Sequence, residues 1–282
     1  MLPLNLLIAQ ADGRLVSVTP RGQVVWRRRQ SDPGAVSVTR TGRTLVIAEP
    51  AEEVLALRRV DSGRLAYVFG RRGQAGSGPG LLDDPRSAFE TSSGEIAIAD
   101  SANCRVVLVE PGARAASSSL GRAGDCAESV RPLRFSDPVS AIPEPGGRLL
   151  VTETGPPRAV LISASGAVIA TTPLPGLDAA SDARLDPYGG IVVTERSDPG
   201  AVEELSATGA VSWRRGGLDD PAMALVLPDG DVLVVDSGND RVIVIDRATN
   251  AIVWQYGHSG VPGHTPGYLD DPQSAALVPI GR

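Results

Sequence analysis

An all-β fold built from six copies of one four-stranded unit is what the sequence predicts, and three observations carry that expectation. First, short runs rich in Val and Ile alternate with clusters of Gly, Pro, Asp and Asn along all 282 residues, of which 32 are Gly and 23 Pro. That is the pattern of strands joined by tight turns. Second, a Pro-x-x-Ala motif recurs at Pro33, Pro85, Pro138, Ala180, Pro221 and Pro272, with one-residue departures in two copies; the spacings are 52, 53, 42, 41 and 51 residues. Third, counting from Pro272 to the C-terminus and on from Met1 to Pro33 gives 43 residues, one further unit divided between the two ends. Short strands in radially repeated four-stranded units define a β-propeller. The prediction is therefore a six-bladed propeller of four-stranded antiparallel blades, its ring closed by the C-terminal strand joining the three N-terminal ones.

The copy from Gly217 to Gln255 is the clearest, with strands at Met223–Leu227, Val232–Val235, Arg241–Ile245 and Ala251–Trp254. The divided copy takes Gln273–Pro279 from the C-terminus and Asn5–Ala9, Arg14–Thr19 and Gln23–Arg27 from the N-terminus. One propeller domain spans 1–282, with blade 1 at 269–282 plus 1–30 and blade 2 at 31–80. Blades 3 to 6 follow at 81–132, 133–176, 177–216 and 217–268. Nearly continuous apolar runs such as LLVTE and DVLVVD fit strands covered on both faces by neighbouring blades. Ala51–Arg59 has some helical composition, but the register makes it a third strand. Gly70–Gly80 is expected to be the most flexible loop. Trp26, Trp213 and Trp254 occupy one place in the repeat, which points to packing between blades.

Composition closes several avenues. Net charge is −6, and Arg27-Arg28-Arg29 is the single basic cluster, which argues against nucleic acid. Lysine is absent, so Schiff-base chemistry on a lysine is excluded. No run approaches the roughly 18 apolar residues of a membrane span. The opening MLPLNLLIAQADGR lacks a basic leader and a cleavage site, and reads as a strand. No Gly-x-Ser-x-Gly, phosphate loop or His-Glu-x-x-His occurs. Two cysteines, Cys104 and Cys126, form either an isolated disulfide or two free thiols.

Two sets of residues could carry function. The second strands end on Gln10, Glu49, Asp100, Glu153, Glu195 and Asp236, a row that would form either a cation site or, on the favoured reading, acceptors for backbone N–H groups of the following turn. The positions between Pro and Ala in the repeat belong to the channel mouth: Arg86 and Ser87, Val139 and Ser140, Ser181 and Asp182, Ala222 and Met223, Gln273 and Ser274, with Gly34 and Ala35 in blade 2. This set differs between blades, as a binding surface would, but holds one carboxylate and one cation, too few for a divalent metal site. The only histidines, His258 and His264, share the loop before the closing blade.

The phrases Ile98–Gly112 (IADSANCRVVLVEPG) and Val234–Gly257 (VVDSGNDRVIVIDRATNAIVWQYG) resemble the NHL-repeat propellers, with their strand–Asp-x-x-Asn-x-Arg–strand pattern. The run Trp254–Pro272 is similar to a bacterial, actinobacterial-type extracytoplasmic branch that includes PQQ-binding-like proteins. Blades 4 and 5 lack the Asn-x-Arg turn, so spacing alone places them. Asp246–Trp254 resembles a quinoprotein docking motif, but it stands once in a ring of six, so no cofactor is expected. In that branch Asn-Cys-Arg is followed by a glycine and a second cysteine, as Asn103-Cys104-Arg105 is by Gly121 and Cys126 here, which implies a Cys104–Cys126 disulfide and an oxidising compartment. Amidating-lyase propellers need three His ligands and are excluded with two. Arylsulfotransferase-like propellers use one central His with Arg partners.

The sequence therefore predicts a non-catalytic binding or scaffold propeller, a monomer recognising a protein or small ligand through Arg86, Ser87, Ser140, Asp182, Met223, Gln273, Ser274, His258 or His264, with no metal. It would act outside the cytoplasm if a signal or anchor segment has been removed, and in the cytoplasm otherwise. The alternative is an enzyme of lyase, sulfotransferase or lactonase type using His258, Arg86 and Asp182.

Overall fold

Alternation of branched apolar residues with turn residues gives strands of two to eight residues and very little helix. The structure, a computed structural model, describes residues 2–30, 34–127, 129–174, 180–187, 189–206 and 208–278. Among these the strands form six four-stranded antiparallel sheets and one two-stranded ribbon. The fold is a six-bladed β-propeller. Its chain divides into two compact units, residues 1–30 with 176–282, and residues 31–175.

The first unit holds three blades. Blade 5 runs Ala180–Leu185, Ile191–Glu195, Gly200–Leu205 and Val211–Leu218; blade 6 runs Pro221–Val226, Val232–Asp236, Arg241–Asp246 and Ala251–Gly257. Blade 1 is the divided one. Pro272–Val278 pairs with Asn5–Gln10, which pairs with Arg14–Val18 and then Val24–Arg29, as the spacing requires. Pro33 of the repeat motif and Pro279 of the expected closing strand lie outside the described residues.

The second unit holds blades 2, 3 and 4. Their strands are Val36–Val38, Thr44–Glu49, Val54–Arg59 and Leu65–Gly70; Pro85–Glu90, Ile96–Asp100, Arg105–Val109 and Ser118–Gly121; and Pro138–Glu144, Arg148–Thr154, Pro157–Ile162 and Val168–Pro173. The stretch read as strand over Ala51–Arg59 begins as a 3-10 turn at Pro50–Glu52, and the strand starts only at Val54, after Glu53 in a left-handed conformation. The ribbon Ser129–Val130/Leu133–Arg134 was not legible, because two-residue strands carry no periodicity.

The fourth, outermost strand of each sheet is the least buried. All five residues of Val232–Asp236 are buried, whereas Val24–Arg29 alternates between half-buried and exposed. Inner strands are covered by blades on both faces, which is why they read as unbroken apolar runs. Each core cluster spans two blades. Leu6, Ile8 and Val16 of blade 1 pack on Leu233, Val235 and Val242 of blade 6, and Val46 and Leu55 of blade 2 on Ile96 and Ile98 of blade 3. Each such side chain taken from water contributes about 1.5–3 kcal/mol. Trp254 and Trp213 join these clusters, and the Trp254 indole N–H donates to the carbonyl of Pro20 in the next blade (2.9 Å). Trp26 instead stacks under the Arg28 guanidinium, 4.2 Å from its ring centre.

The Gly70–Gly80 loop, expected to be flexible, is pinned. Gly73 and Gly76 donate to the carbonyls of Glu52 and Leu82, and Gly76 in turn accepts from the Asn103 side chain (2.9 Å). Gly70 has φ +101 and sits against the Glu53 carbonyl, so a β-carbon there would collide.

Candidate functional site

Three of the acids that end the second strands, Asp100, Glu153 and Asp236, are structural clasps. Asp100 is fully buried; one oxygen accepts the Asp83 amide (2.7 Å), the other the Arg105 Nε–H (2.6 Å), and both lie within 3.1 Å of the Asn103 amide nitrogen. Asp236 repeats this with the Asp219 amide (2.8 Å), Asn239 (3.1 Å) and Arg241 (2.7 Å). Glu153 accepts from the Ser136 amide and from Arg158, and the Gln10 side-chain carbonyl takes the Asp270 amide. The backbone donors differ from expectation. They come from the turn that leads into the inner strand, 17 residues upstream in blades 3, 4 and 6, and not from the turn that follows. Register explains it, since Pro85 pairs with Asp100 and Pro221 with Asp236, which brings that earlier turn alongside. Burial pushes the Asp100 carboxyl up, opposed by these three donors.

Most residues assigned to the mouth are buried, and Ser87, Ser181 and Met223 are bonded across the joints between blades. In the second unit Ser87 and Ser140 are buried, as is Ser37, which the sequence reading did not assign to the mouth. The Ala141 amide donates to Ser87 (3.2 Å), Ser140 donates to the Thr152 hydroxyl (2.9 Å), and Ser37 donates to the Ala88 carbonyl (2.8 Å). In the first unit the Ala275 amide meets the Met223 sulfur at 3.1 Å, Ser181 donates to the Ala222 carbonyl (2.9 Å), and Ser274 is buried. Asp182 is buried too, with Arg184 Nε at 2.7 Å.

Arg86 and Gln273 remain accessible, and each belongs to a polar network at the start of its blade. In the second unit Arg86 donates to Asp84 (2.8 Å) and lies 3.8 Å from Asp137, which accepts from Thr154. In the first unit Arg196 of blade 5 makes two parallel bonds to Asp220 at the head of blade 6 (both 2.9 Å) and one to Gln273 of blade 1 (3.1 Å). Gln273 donates in turn to Asp271 (2.6 Å). Burial pushes the Asp271 carboxyl up, Arg196 pulls against that, and Asp220 and Asp240 add to it. Asp84, Asp220 and Asp271 have φ near +50, a conformation Asp tolerates better than most residues. Their amides tie blades together where Asp84 donates to Glu53 (2.8 Å) and Asp271 to Asp240 (2.9 Å). Arg196, Asp220 and Asp271 were missed from sequence. The signal was the Asp directly before the repeated Pro in five of the six copies.

The two histidines sit apart from this network. His258 is exposed and stacks on Tyr268, ring centres 4.2 Å apart. His264 Nδ1 is 3.7 Å from Asp270, and its carbonyl accepts from Arg27 (3.0 Å). No contact joins either histidine to Asp182 among the described residues. Asp12, His264 and Asp270 present ligand atoms within 4.8 Å of one another, the geometry of a candidate metal site. The Arg14 guanidinium already lies there, 2.7 Å from Asp12 and 3.3 Å from Asp270. Partial burial works against the Asp12 charge, yet Arg14 holds that carboxyl below its usual range. A dication would have to displace a cation already paired.

Cys104 and Cys126 form the expected disulfide, with α-carbons 5.2 Å apart. Cys104 has φ +56 and takes the place before its third strand that Glu53 and Asp240 occupy in blades 2 and 6. There the sequence supplies a covalent tie in place of the carboxylate that grips the next blade.

No family model and no curated protein sequence matches the chain. Solved structures do. A protein of unknown function from Bacteroides caccae aligns over 98% of this chain and 99% of its own, at 14% identity and TM-score 0.68. A chain of a nidogen/laminin complex aligns over 97% and 98% (14%, 0.69), and virginiamycin B lyase from Staphylococcus aureus over 80% and 70% (13%, 0.55). At such identities the likeness is one of fold. No helix among the described residues is long and apolar enough to cross a membrane.

Proposed function

We propose that the chain is a binding propeller, working outside the cytoplasm and recognising a protein or small-molecule partner on the face where its blades begin. The observation that carries this reading is the Arg196–Asp220–Gln273 network. It gathers side chains from three blades at partial exposure, rich in donors and acceptors, with no nucleophile beside a base. Among the described residues, other groups able to do chemistry have partners elsewhere: Asp100, Glu153 and Asp236 in clasps, Ser87 and Ser181 at joints between blades, Ser140 on Thr152, and Asp182 on Arg184. The Cys104–Cys126 disulfide supports an oxidising compartment. The NHL-like phrases agree, since their Asp, Asn and Arg are the clasp residues. Propellers host many activities, so the site and not the fold must decide. An enzyme built on His258, Arg86 and Asp182 is the competing reading, and the stacked His258 and ion-paired Asp182 weigh against it.

A photo-crosslinking residue at exposed Asp198, beside Arg196, tests the proposal when the protein is exposed to extracytoplasmic proteins and metabolites. A discrete adduct is expected there and not from the same group at Ile169 on an outer strand. Equal, diffuse labelling at both positions would remove the reading.

A further inference from the structure

Two loops of this chain are copies of one another: Gly70–Pro85 leads into blade 3 and Gly257–Pro272 into blade 1, both matching the pattern Gly-x-x-Gly-x-x-Gly-x-x-x-Gly-x-Leu-Asp-Asp-Pro at every fixed position. Each folds back over the third strand of the blade it enters. Matching bonds hold them, from Gly76 to the Leu82 carbonyl and from Gly263 to the Leu269 carbonyl. Beneath the blade 1 loop, His264, Tyr268 and Arg27 fill the space and leave a cavity of about 20 Å³, room for one water. In blade 3 the same places hold Ser77, Leu81 and Ser119, as the strand register fixes. A cleft of about 310 Å³ stands open there, at the small end of ligand pockets.

We infer that this blade 3 cleft binds a small molecule with a flat apolar body and a carboxylate. Phe69, Leu81, Val107, Ala115 and Ala116 line it. Arg105 lines it as well and supplies the charge. Of its five N–H donors, three go to Asp100, the Ser77 carbonyl and the Leu81 carbonyl, which leaves two with no acceptor among the described residues. Those three bonds also fix the guanidinium in place before any ligand arrives. Next to Ala115 and Ala116 the chain is held by two contacts, Gly80 (φ +72) against the Arg114 carbonyl and Tyr67 donating to the Ala113 carbonyl. This site is separate from the Arg196 network, so the two proposals stand or fall independently.

The test uses 2-naphthoate as probe, followed by amide shifts in the full-length protein. Saturable shifts confined to Leu81, Val107 and Ala116 are expected, with a Kd of about 1 mM or tighter for a ligand of this size. The uncharged 2-naphthamide should bind at least about 10-fold more weakly, because the charge-assisted bonds to Arg105 are lost. Arg105 variants are unsuitable, since Arg105 closes the blade. The double variant Ser77→His, Leu81→Tyr copies the filling of the other loop; it should keep the melting temperature and lose the shifts. Absence of saturation by 10 mM, shifts centred elsewhere, equal binding of the amide, or binding undiminished in the filled variant would each overturn the proposal.

Discussion

Asp236→Ala probes the carboxylate clasp that blades 3, 4 and 6 share. The carboxylate is fully buried, and its removal strands three donors at once: the Asp219 amide, the Asn239 side chain and the Arg241 Nε–H. Breaking one side of a buried pair costs about 3–5 kcal/mol, and an orphaned buried donor about 1–3. Arg241 keeps the Ser259 hydroxyl (2.8 Å) as a second partner, which places the expectation at about 3 kcal/mol, near the low end. Urea-induced unfolding followed by tryptophan fluorescence reads this directly. Arg241→Met alone and the double variant complete the cycle, and the double should cost less than the sum by about 1–3 kcal/mol. Asp61→Ala serves as control, because Asp61 pairs with Arg59 at the exposed surface (2.8 Å) and should leave the midpoint unchanged. A loss below about 1 kcal/mol for Asp236→Ala, or strict additivity with Arg241→Met, would refute the clasp.

Thiol titration of the denatured, unreduced protein should find no free SH; Cys104→Ser with Cys126→Ser should lower stability by about 3 kcal/mol, the chain-entropy value for a separation of 22 residues. Glu204 is pushed up by burial and by Asp186, against the pull of Arg247. Its folded pKa lies above the unfolded one, so its contribution is full in acid and is lost as pH rises through the folded value. Glu204→Gln should therefore gain stability over wild type at neutral pH, with the two curves converging below the ordinary glutamate range, as unfolding at stepped pH will read. Zinc should leave the wild-type melting temperature unchanged, while Arg14→Ala, which uncovers Asp12, His264 and Asp270, should gain a zinc-dependent rise.

Spacing alone made the six sheets and the divided blade legible, because a six-fold repeat of turn residues leaves its mark at every copy. The place of Asp100 and Asp236 in the repeat was also visible. Their donors were not, since the partner turn lies 17 residues upstream and meets the acid only through sheet register. The mouth was harder to read for a related reason. Position in the motif gives a residue's height along the inner strand, but the pleat decides whether it faces solvent or the next blade, so Ser87 and Met223 went to joints while Arg86 and Gln273 stayed accessible. Arg196 is invisible to any local pattern, because Asp220 and Gln273 lie 24 and 77 residues away. The cleft on blade 3 needed the opposite comparison, of two loops alike in sequence whose filling differs at Ser77 and Leu81.

Turnover is the most direct check on whether this propeller binds or transforms its partner. Purified protein incubated with aryl ester, aryl sulfate and lactone substrates is predicted to release product no faster than His258→Ala or buffer. Saturable product release that His258→Ala or Asp182→Asn abolishes, while the melting temperature holds, would contradict the account and make the protein an enzyme.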